Sequence, residues 1–406
     1  MLSVLVAGLC LGAVAAIPDP KELEASLWTD LLDRWFPTCV DPKGGFRQNF
    51  GPDFKPHDDG ARGLVFQSRM TWVCASVADG RPAFAKYARH GVRFLKDRMN
   101  GGLTWSLDKN GKPAKERHAY GISFAIYGLA AAGRHLKDAE ALRLAQRAFR
   151  YLEEHHYDRK HGGYFEATDL RGRAKLSGKG RDSIGTLYGQ KSQNTHLHLL
   201  EAFTELYRAW PNPLVKKRLT ETLGLFNKEL FAAPGHLTLF VRRDWTPAST
   251  DTSYGHDVEA AHLMLDAADA LGRRDDPLVM KRARQLVDNS LAHGWDEKSG
   301  GLYNMGNAAG ATDKRKIWWV EAEALLGFAT LWTRTQDPRY GEALADEWAF
   351  IKAHGIDHER GGWYEETAED GTPKRNLPKG HAWKAAYHDG RALLFTARLL
   401  RKVERR

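Results

Sequence analysis

Three histidines stand on stretches that otherwise read as apolar helices. His198 lies in Asn194-Thr195-His196-Leu197-His198-Leu199-Leu200-Glu201, His256 in Tyr254-Gly255-His256-Asp257-Val258-Glu259, and His388 in Trp383-Lys384-Ala385-Ala386-Tyr387-His388-Asp389-Gly390-Arg391. Imidazole, with an ordinary pKa of about 6.5, serves as acid and as base at neutral pH. Two such rings facing one substrate carbon could move a proton across it. Arg69 would add a fixed positive charge for the oxyanion that forms when a proton leaves a carbon next to a carbonyl. Glu259, three residues after His256, is expected to fix its tautomer. Trp319 and Trp383 offer flat apolar faces, which serve either as platforms for sugar rings or as plain core.

Other chemistries fit less well. His196 and His198 are two apart, so on a helix they point about 200° apart and cannot chelate together. No His-x-x-x-His pair falls within a predicted helix and there is no cysteine cluster, so no metal is assigned. Ser-based covalent catalysis lacks a nucleophile elbow. Glu259, Glu321, Glu323 and Asp389 keep open the paired-carboxylate chemistry of a glycoside hydrolase.

The elements that must position these groups are helices. Segments of helical period run over 21–36, 61–78, 83–98, 118–133, 138–155, 192–210, 213–230, 256–271, 276–292, 317–334, 337–353 and 384–402, and no strand pattern of any length alternates with them. Glycine pairs followed by an aromatic residue recur at Gly44-Gly45-Phe46, Gly101-Gly102-Leu103-Thr104-Trp105, Gly162-Gly163-Tyr164, Gly300-Gly301-Leu302-Tyr303 and Gly361-Gly362-Trp363. Each is led by an aspartate: Asp41, Asp97, Asp158, Asp296 and Asp357. A degenerate version near Gly235-His236-Leu237 fills the fourth place, and the period of about 60 residues makes the helix pair the repeating unit. First members of each pair are amphipathic and second members are apolar nearly all round, as a helix surrounded by helices must be. Six inner and six outer helices close into an all-α, (α/α)6 barrel. The polar clusters at the six inner N-termini then converge on one pocket at one end of the bore.

Composition sets the outer bounds. The net charge of +9 is spread along the chain with no run resembling a nucleic-acid arm, so neither a nucleic-acid nor a membrane partner is assigned. Residues 1–16 read as a signal-peptide apolar core that lacks a basic leader and is too short to span a membrane, which implies export to the periplasm or medium. No linker divides residues 17–406, which are read as one catalytic domain, a monomer or weak dimer. Cys39 and Cys74 make no disulfide framework, and Cys74 reads as a buried free thiol.

The stretches 194–202, 254–259, Trp318-Trp319-x-x-Ala322-Glu323 and Trp383-Lys384-x-x-Tyr387-His388 together resemble the acylglucosamine 2-epimerase superfamily, and within it the cellobiose 2-epimerases, over residues 20–402. The resemblance implies a cofactor-free reaction at the reducing-end sugar of β-1,4-linked disaccharides. His256 and His388 would flank C2 as base and acid, a cis-enediolate would form, and rotation about C2–C3 would present its other face. Arg69 and His198 would hold the developing charge on O1 and O2. Asn194, Tyr120, Trp319 and Trp383 would bind the sugar, with Glu259 and Glu323 orienting the residues that touch it. Val320-Glu321 stands where the family usually has Pro-Gln, and Ala385-Ala386 and Asp389 replace Cys-Pro and Asn. The sugar is therefore left open among cellobiose, mannobiose and a monosaccharide. The alternatives are an aldose–ketose isomerase on free mannose or glucose, a glycosidase on the same barrel, and an exported sugar-binding protein.

Overall fold

The computed structural model describes residues 16–404, so the apolar stretch read as an export signal lies, but for Ala16, outside the described residues. Six helices form an inner ring: α2 (Leu64–Val77), α4 (Ala119–His135), α6 (Gln193–Ala209), α8 (Tyr254–Ala270), α10 (Trp318–Thr335) and α12 (His388–Glu404). Six more pack outside them: α1 (Pro20–Ser26, continued by a π turn at Leu27–Leu32), α3 (Phe84–Asp97), α5 (Ala139–His155), α7 (Pro213–Asn227), α9 (Pro277–Gly294) and α11 (Pro338–Phe350). Neighbouring inner helices touch in sequence order. The ring closes where Trp72 of α2 meets Tyr387 and Phe395, and where Arg398 of α12 donates to the Ser76 carbonyl at 3.1 Å. The result is the (α/α)6 barrel expected from the periodicity.

Local chemistry explains the boundaries. Four outer helices begin Asp-Pro or Asn-Pro (Asp19, Asn212, Asp276, Asp337). The side-chain oxygen caps free N–H groups, and the proline sits where no donor is needed. The last inner helix departs from expectation: it starts at His388, and Trp383–Tyr387 form the loop that leads into it. No helix among the described residues is long and apolar enough to cross a membrane. Cys39 and Cys74 are buried free thiols.

Short strands, absent from the sequence reading, join the repeats. Residues just before an inner helix pair antiparallel with the loop of the next repeat: Arg62–Gly63 with Ser106–Leu107, Glu116–His118 with Ala167–Asp169, Gln190–Ser192 with Phe240–Arg242, Thr252–Ser253 with Met305–Asn307, and Lys316–Ile317 with Glu366–Thr367. Ladders of two or three residues are too brief to show an alternating pattern. Buried ion pairs pin the same corners. Asp158 holds Lys191 at 3.1 Å, Asp296 holds Lys316 at 2.8 Å, and Asp41 holds Arg62 at 2.6 Å. These are three of the aspartates that lead the glycine turns; Asp97, a fourth, is exposed.

The turns themselves are tied to the inner ring by one helix position. The fourth residue of an inner helix accepts the backbone N–H of the residue after the turn: Gln67 from Phe46 (2.7 Å), His196 from Tyr164 (3.0 Å), Asp257 from Leu237 (2.9 Å) and Glu321 from Leu302 (2.9 Å). At Gly163, with φ of 67°, an added Cβ would lie 2.8 Å from the His196 ring and 2.6 Å from Trp245, so the close approach requires glycine. The degenerate fourth turn works differently. Gly235 lacks a positive φ, and a small hairpin (Phe231–Ala232 with His236–Leu237) makes the reversal.

Candidate active site

The inner helices carry the same register into the bore. Their second residues include Tyr120, Asn194 and Trp319; their sixth residues are Arg69, Phe124, His198, Glu259 and Glu323. Positions four apart lie one turn above another on a single face, so the two sets form an upper and a lower ring of side chains. His256, third in α8, and His388, first in α12, fall between them. Arg69, Tyr120, Asn194, His198, His256, Glu259, Trp319, Trp383 and His388 line one cavity of about 180 Å³. Nine of the ten candidate residues therefore meet in one place, brought from all six inner helices and the loop before the last. Glu323, the tenth, stands directly behind His388.

Each imidazole has a different partner. His388 Nδ1 lies 2.6 Å from Glu323 Oε1, and His198 Nδ1 lies 3.1 Å from Glu201 Oε2. A carboxylate only accepts, so in both rings it holds hydrogen on Nδ1 and leaves Nε2 for the pocket. His256 Nδ1 lies 2.8 Å from Ser253 Oγ. This corrects the expectation that Glu259 fixes His256: the Glu259 side chain turns from it to the Arg391 guanidinium, 2.6 Å away. A serine hydroxyl can donate or accept, so His256 is free to present either form of Nε2. The His256 and His388 rings both pack on Trp319, at 4.7 and 5.8 Å between centroids.

Beneath the pocket Arg391 binds three buried carboxylates, Glu201, Glu259 and Glu323. Burial alone would raise Glu323, but Arg391 and the His262 and His388 rings hold it well below the ordinary carboxylate range. Glu201 is likewise held down to about 2 against burial, chiefly by Arg391 and His198. One guanidinium does not neutralise three anions, and burial with the Glu323 charge pushes Glu259 up to about 7. Glu259, Glu323 and His388 bring ligand-type atoms within 4.8 Å of one another, and the cation seated there is Arg391. Burial, joined by the neighbouring His198 for His256 and by Arg69 for His388, lowers both rings to about 3. At neutral pH they are uncharged, the form a base needs.

Arg69 has neutral partners, the Trp383 carbonyl at 2.8 Å and the Tyr120 hydroxyl at 3.3 Å, and its guanidinium lies over Phe124 and Tyr387. Its charge stays available to the pocket. Asn194 Oδ1 and Glu259 Oε2 have no partner among the described residues. Trp383 is 40% exposed, at the mouth, and also borders an outer groove of about 470 Å³ lined by Trp105, Ser106 and Lys115.

Two carboxylates weighed for glycoside hydrolysis fall away. Glu321 accepts the Leu302 N–H and faces the Glu347 carboxyl outside the pocket, and Asp389 does not line it either. The sequence reading assigned no role to Ser253, His262 or Arg391. A serine before a helix reads as a cap, and Arg391 reads as one more member of a polar cluster, since its three partners come from three other helices.

The profile of the N-acylglucosamine 2-epimerase (GlcNAc 2-epimerase) family matches residues 44–392. The chain is 32% identical over 390 residues to a cellobiose 2-epimerase of Bacteroides fragilis, covering 91% of this chain and 96% of the relative. It is 29% identical over 385 residues to a D-mannose isomerase of Marinomonas mediterranea, covering 87% and 91%. The solved structure of cellobiose 2-epimerase from Bacillus thermoamylovorans B4167 superposes with a TM-score of 0.86 at 27% identity, covering 94% of this chain and 99% of that one.

Proposed function

The chain belongs to the N-acylglucosamine 2-epimerase family, and from that premise we propose that it is a sugar 2-epimerase. It interconverts glucose-type and mannose-type reducing ends of β-1,4-linked disaccharides by proton transfer between side chains. The observation that carries this reading is the pair His256 and His388. His388 is buried and His256 half-buried, and both are uncharged at neutral pH and set on one Trp319, in a pocket that also holds a cation without a carboxylate partner.

The ring-opened sugar binds with C2 between the two imidazoles. His388, with hydrogen held on Nδ1 by Glu323, presents a lone pair at Nε2 and takes the C2 proton in one direction. Charge spreads onto O1 and O2 of a cis-enediolate, where Arg69 and His198 hold it. Rotation about C2–C3 turns the other face to His256, which returns a proton; its serine partner tolerates either tautomer. The reverse reaction exchanges the roles. The disaccharide preference draws support from the two-part cavity, with Trp383 shared between the pocket and the outer groove.

The relatives named D-mannose isomerase motivate a second reading, in which the same rings deliver the proton to C1 and a ketose forms. Proton NMR in deuterated buffer with cellobiose, mannobiose and mannose separates the two. Epimerisation gives the C2 epimer with deuterium at C2 and no change of sugar mass beyond it. A ketose as the main product, with deuterium at C1, favours the isomerase, and neither a C2 epimer nor a ketose from any of the three sugars overturns both.

A further inference from the structure

A second cavity opens at the other end of the barrel. It holds about 410 Å³ and is bounded mainly by the C-terminal halves of the inner helices. Four of its arginines are held by carboxylates of the same wall: Arg134 by Glu205 (2.7 Å), Arg208 by Asp266 (2.7 Å), and Arg274 and Arg334 by Asp269 (3.0 and 2.7 Å). Arg398 and Lys402 have no carboxylate partner among the described residues. They stand one turn apart on α12, where the ends of the inner helices present partial negative charge. The wall is close to balanced, so a net charge on a ligand gains little there.

Several neutral polar groups on that wall have hydrogen-bonding capacity to spare. His262 Nε2 stands 2.7 Å from Glu323 Oε2. That carboxylate is ionised and only accepts, so the neutral ring carries its hydrogen on Nε2 and keeps a lone pair on Nδ1. No described residue donates to that nitrogen, and the ring borders the rear cavity. The Tyr127 hydroxyl, on a ring stacked on Trp72 at 5.0 Å, also meets no partner among the described residues. Thr330 turns its hydroxyl hydrogen to the Leu326 carbonyl at 2.8 Å, so its oxygen is left to accept. Arg398 donates one N–H to the Ser76 carbonyl at 3.1 Å and keeps others free. These acceptors and donors come from four different inner helices, and Leu326 and Phe395 add apolar surface beside them.

We propose that the rear cavity binds a neutral polyhydroxy compound of monosaccharide size, seated with one hydroxyl donating to His262 Nδ1. A simple anion would bring no hydrogen to His262 or Thr330 and would face the negative helix ends. An apolar ligand would bury those acceptors without a partner. Each hydroxyl of a polyol both donates and accepts, which matches the mixture on the wall. The volume of about 410 Å³ falls within the range of small-molecule pockets, about 300–1,000 Å³. Arg391 and its carboxylates separate this cavity from the front pocket, so the rear site does not rest on the function proposed above. A ligand there would nonetheless touch His262, which holds the same carboxylate that orients His388.

The test uses D-mannose on the full chain, followed by ligand-observed NMR in solution and by crystals soaked across a concentration series. The expected result is mannose in the rear cavity with a hydroxyl on His262 Nδ1, and a matching class of binding in solution. Tyr127→Phe removes one hydroxyl with almost no change of shape. It should weaken the rear site about two- to tenfold, the loss of one hydrogen bond. Thr333→Trp, at the cavity wall, should fill the space and abolish that class, leaving turnover of cellobiose within about twofold. Tyr127→Phe keeps the test open if the tryptophan variant fails to fold. Mannose at the front alone, or at the rear only in crystals, overturns the inference and leaves the proposed function standing. Rear affinity unchanged in Tyr127→Phe overturns it too, as does a rear cavity that takes inorganic phosphate and refuses mannose. Mannose at the rear of a chain that turns over no sugar overturns the proposed function and upholds this inference.

Discussion

His388 Nδ1 stands 2.6 Å from Glu323 Oε1, and the Arg391 guanidinium donates to that same oxygen at 2.6 Å. One oxygen thus takes a hydrogen from the ring and one from a fixed cation. The cation keeps the carboxylate ionised, and the ionised carboxylate keeps the ring in a single tautomer. Replacing Glu323 by Gln breaks this chain of dependence at almost no change in shape, because an amide can donate as well as accept. The expected outcome is a kcat lowered about a hundredfold, about 2.7 kcal/mol of barrier, with KM little changed. Steady-state kinetics on cellobiose checks it, and Ser253→Ala should cost less, since a hydroxyl imposes no tautomer.

Arg391 is expected to matter for folding more than for any other property. Arg391→Met would leave Glu201, Glu259 and Glu323 buried around an apolar side chain. Breaking a buried pair costs about 3–5 kcal/mol, and here three carboxylates lose one partner. Urea unfolding at pH 7 should show a loss at least that large. The loss should shrink as pH falls and the carboxyls take up protons.

The acidic limb of the pH–rate profile follows from the desolvated imidazoles. Burial lowers His256 and His388 to about 3, so each stays neutral well below the ordinary histidine range. A base is lost only as pH falls through its folded pKa. The kcat/KM of cellobiose turnover should therefore hold to below pH 5 instead of falling near pH 6.5. His388 variants would need to be compared at the same pH values to assign the limb.

Stability should decline on the alkaline side through a different pair. Burial raises Glu321 to about 7 and, with the Glu321 charge, raises Glu347 well above the carboxylate range. Groups whose folded pKa exceeds the unfolded one bind more protons in the native state, so their contribution is complete at low pH and is lost as pH rises through the folded value. The thermal midpoint should fall from pH 6 to pH 9. Glu347→Gln, which removes one charge from the pair, should flatten that fall.

Trp383 should separate disaccharide from monosaccharide. It is the ring shared between the catalytic pocket and the outer groove. Trp383→Ala removes about 0.5–1.5 kcal/mol of stacking, so KM for cellobiose should rise about two- to tenfold. If the second sugar stacks there, KM for mannose should rise less.

The barrel was legible in the chain because twelve apolar periodicities and five glycine turns report backbone geometry that is local. A helix apolar on every side has nowhere to go but inside a ring, so the six polar N-termini had to meet. Nine of the ten candidate residues could be found this way, since their types are anomalous where they stand. The short strands were hidden, because a ladder of two residues has no period to detect.

What the tertiary structure alone decided is who faces whom. Glu259 is as near to His256 in the chain as Glu201 is to His198, yet only Glu201 meets its histidine. Glu259 turns instead to Arg391, a cation that sequence spacing cannot bring to it. His196 and His198 look alike in the sequence, but a 200° rotation sends one to hold a turn and the other into the pocket. Type and period determine which residues are buried and at which end of the bore. Which of several buried charges pair is settled by distances across six helices, where a low-dielectric interior rewards only the contacts actually made.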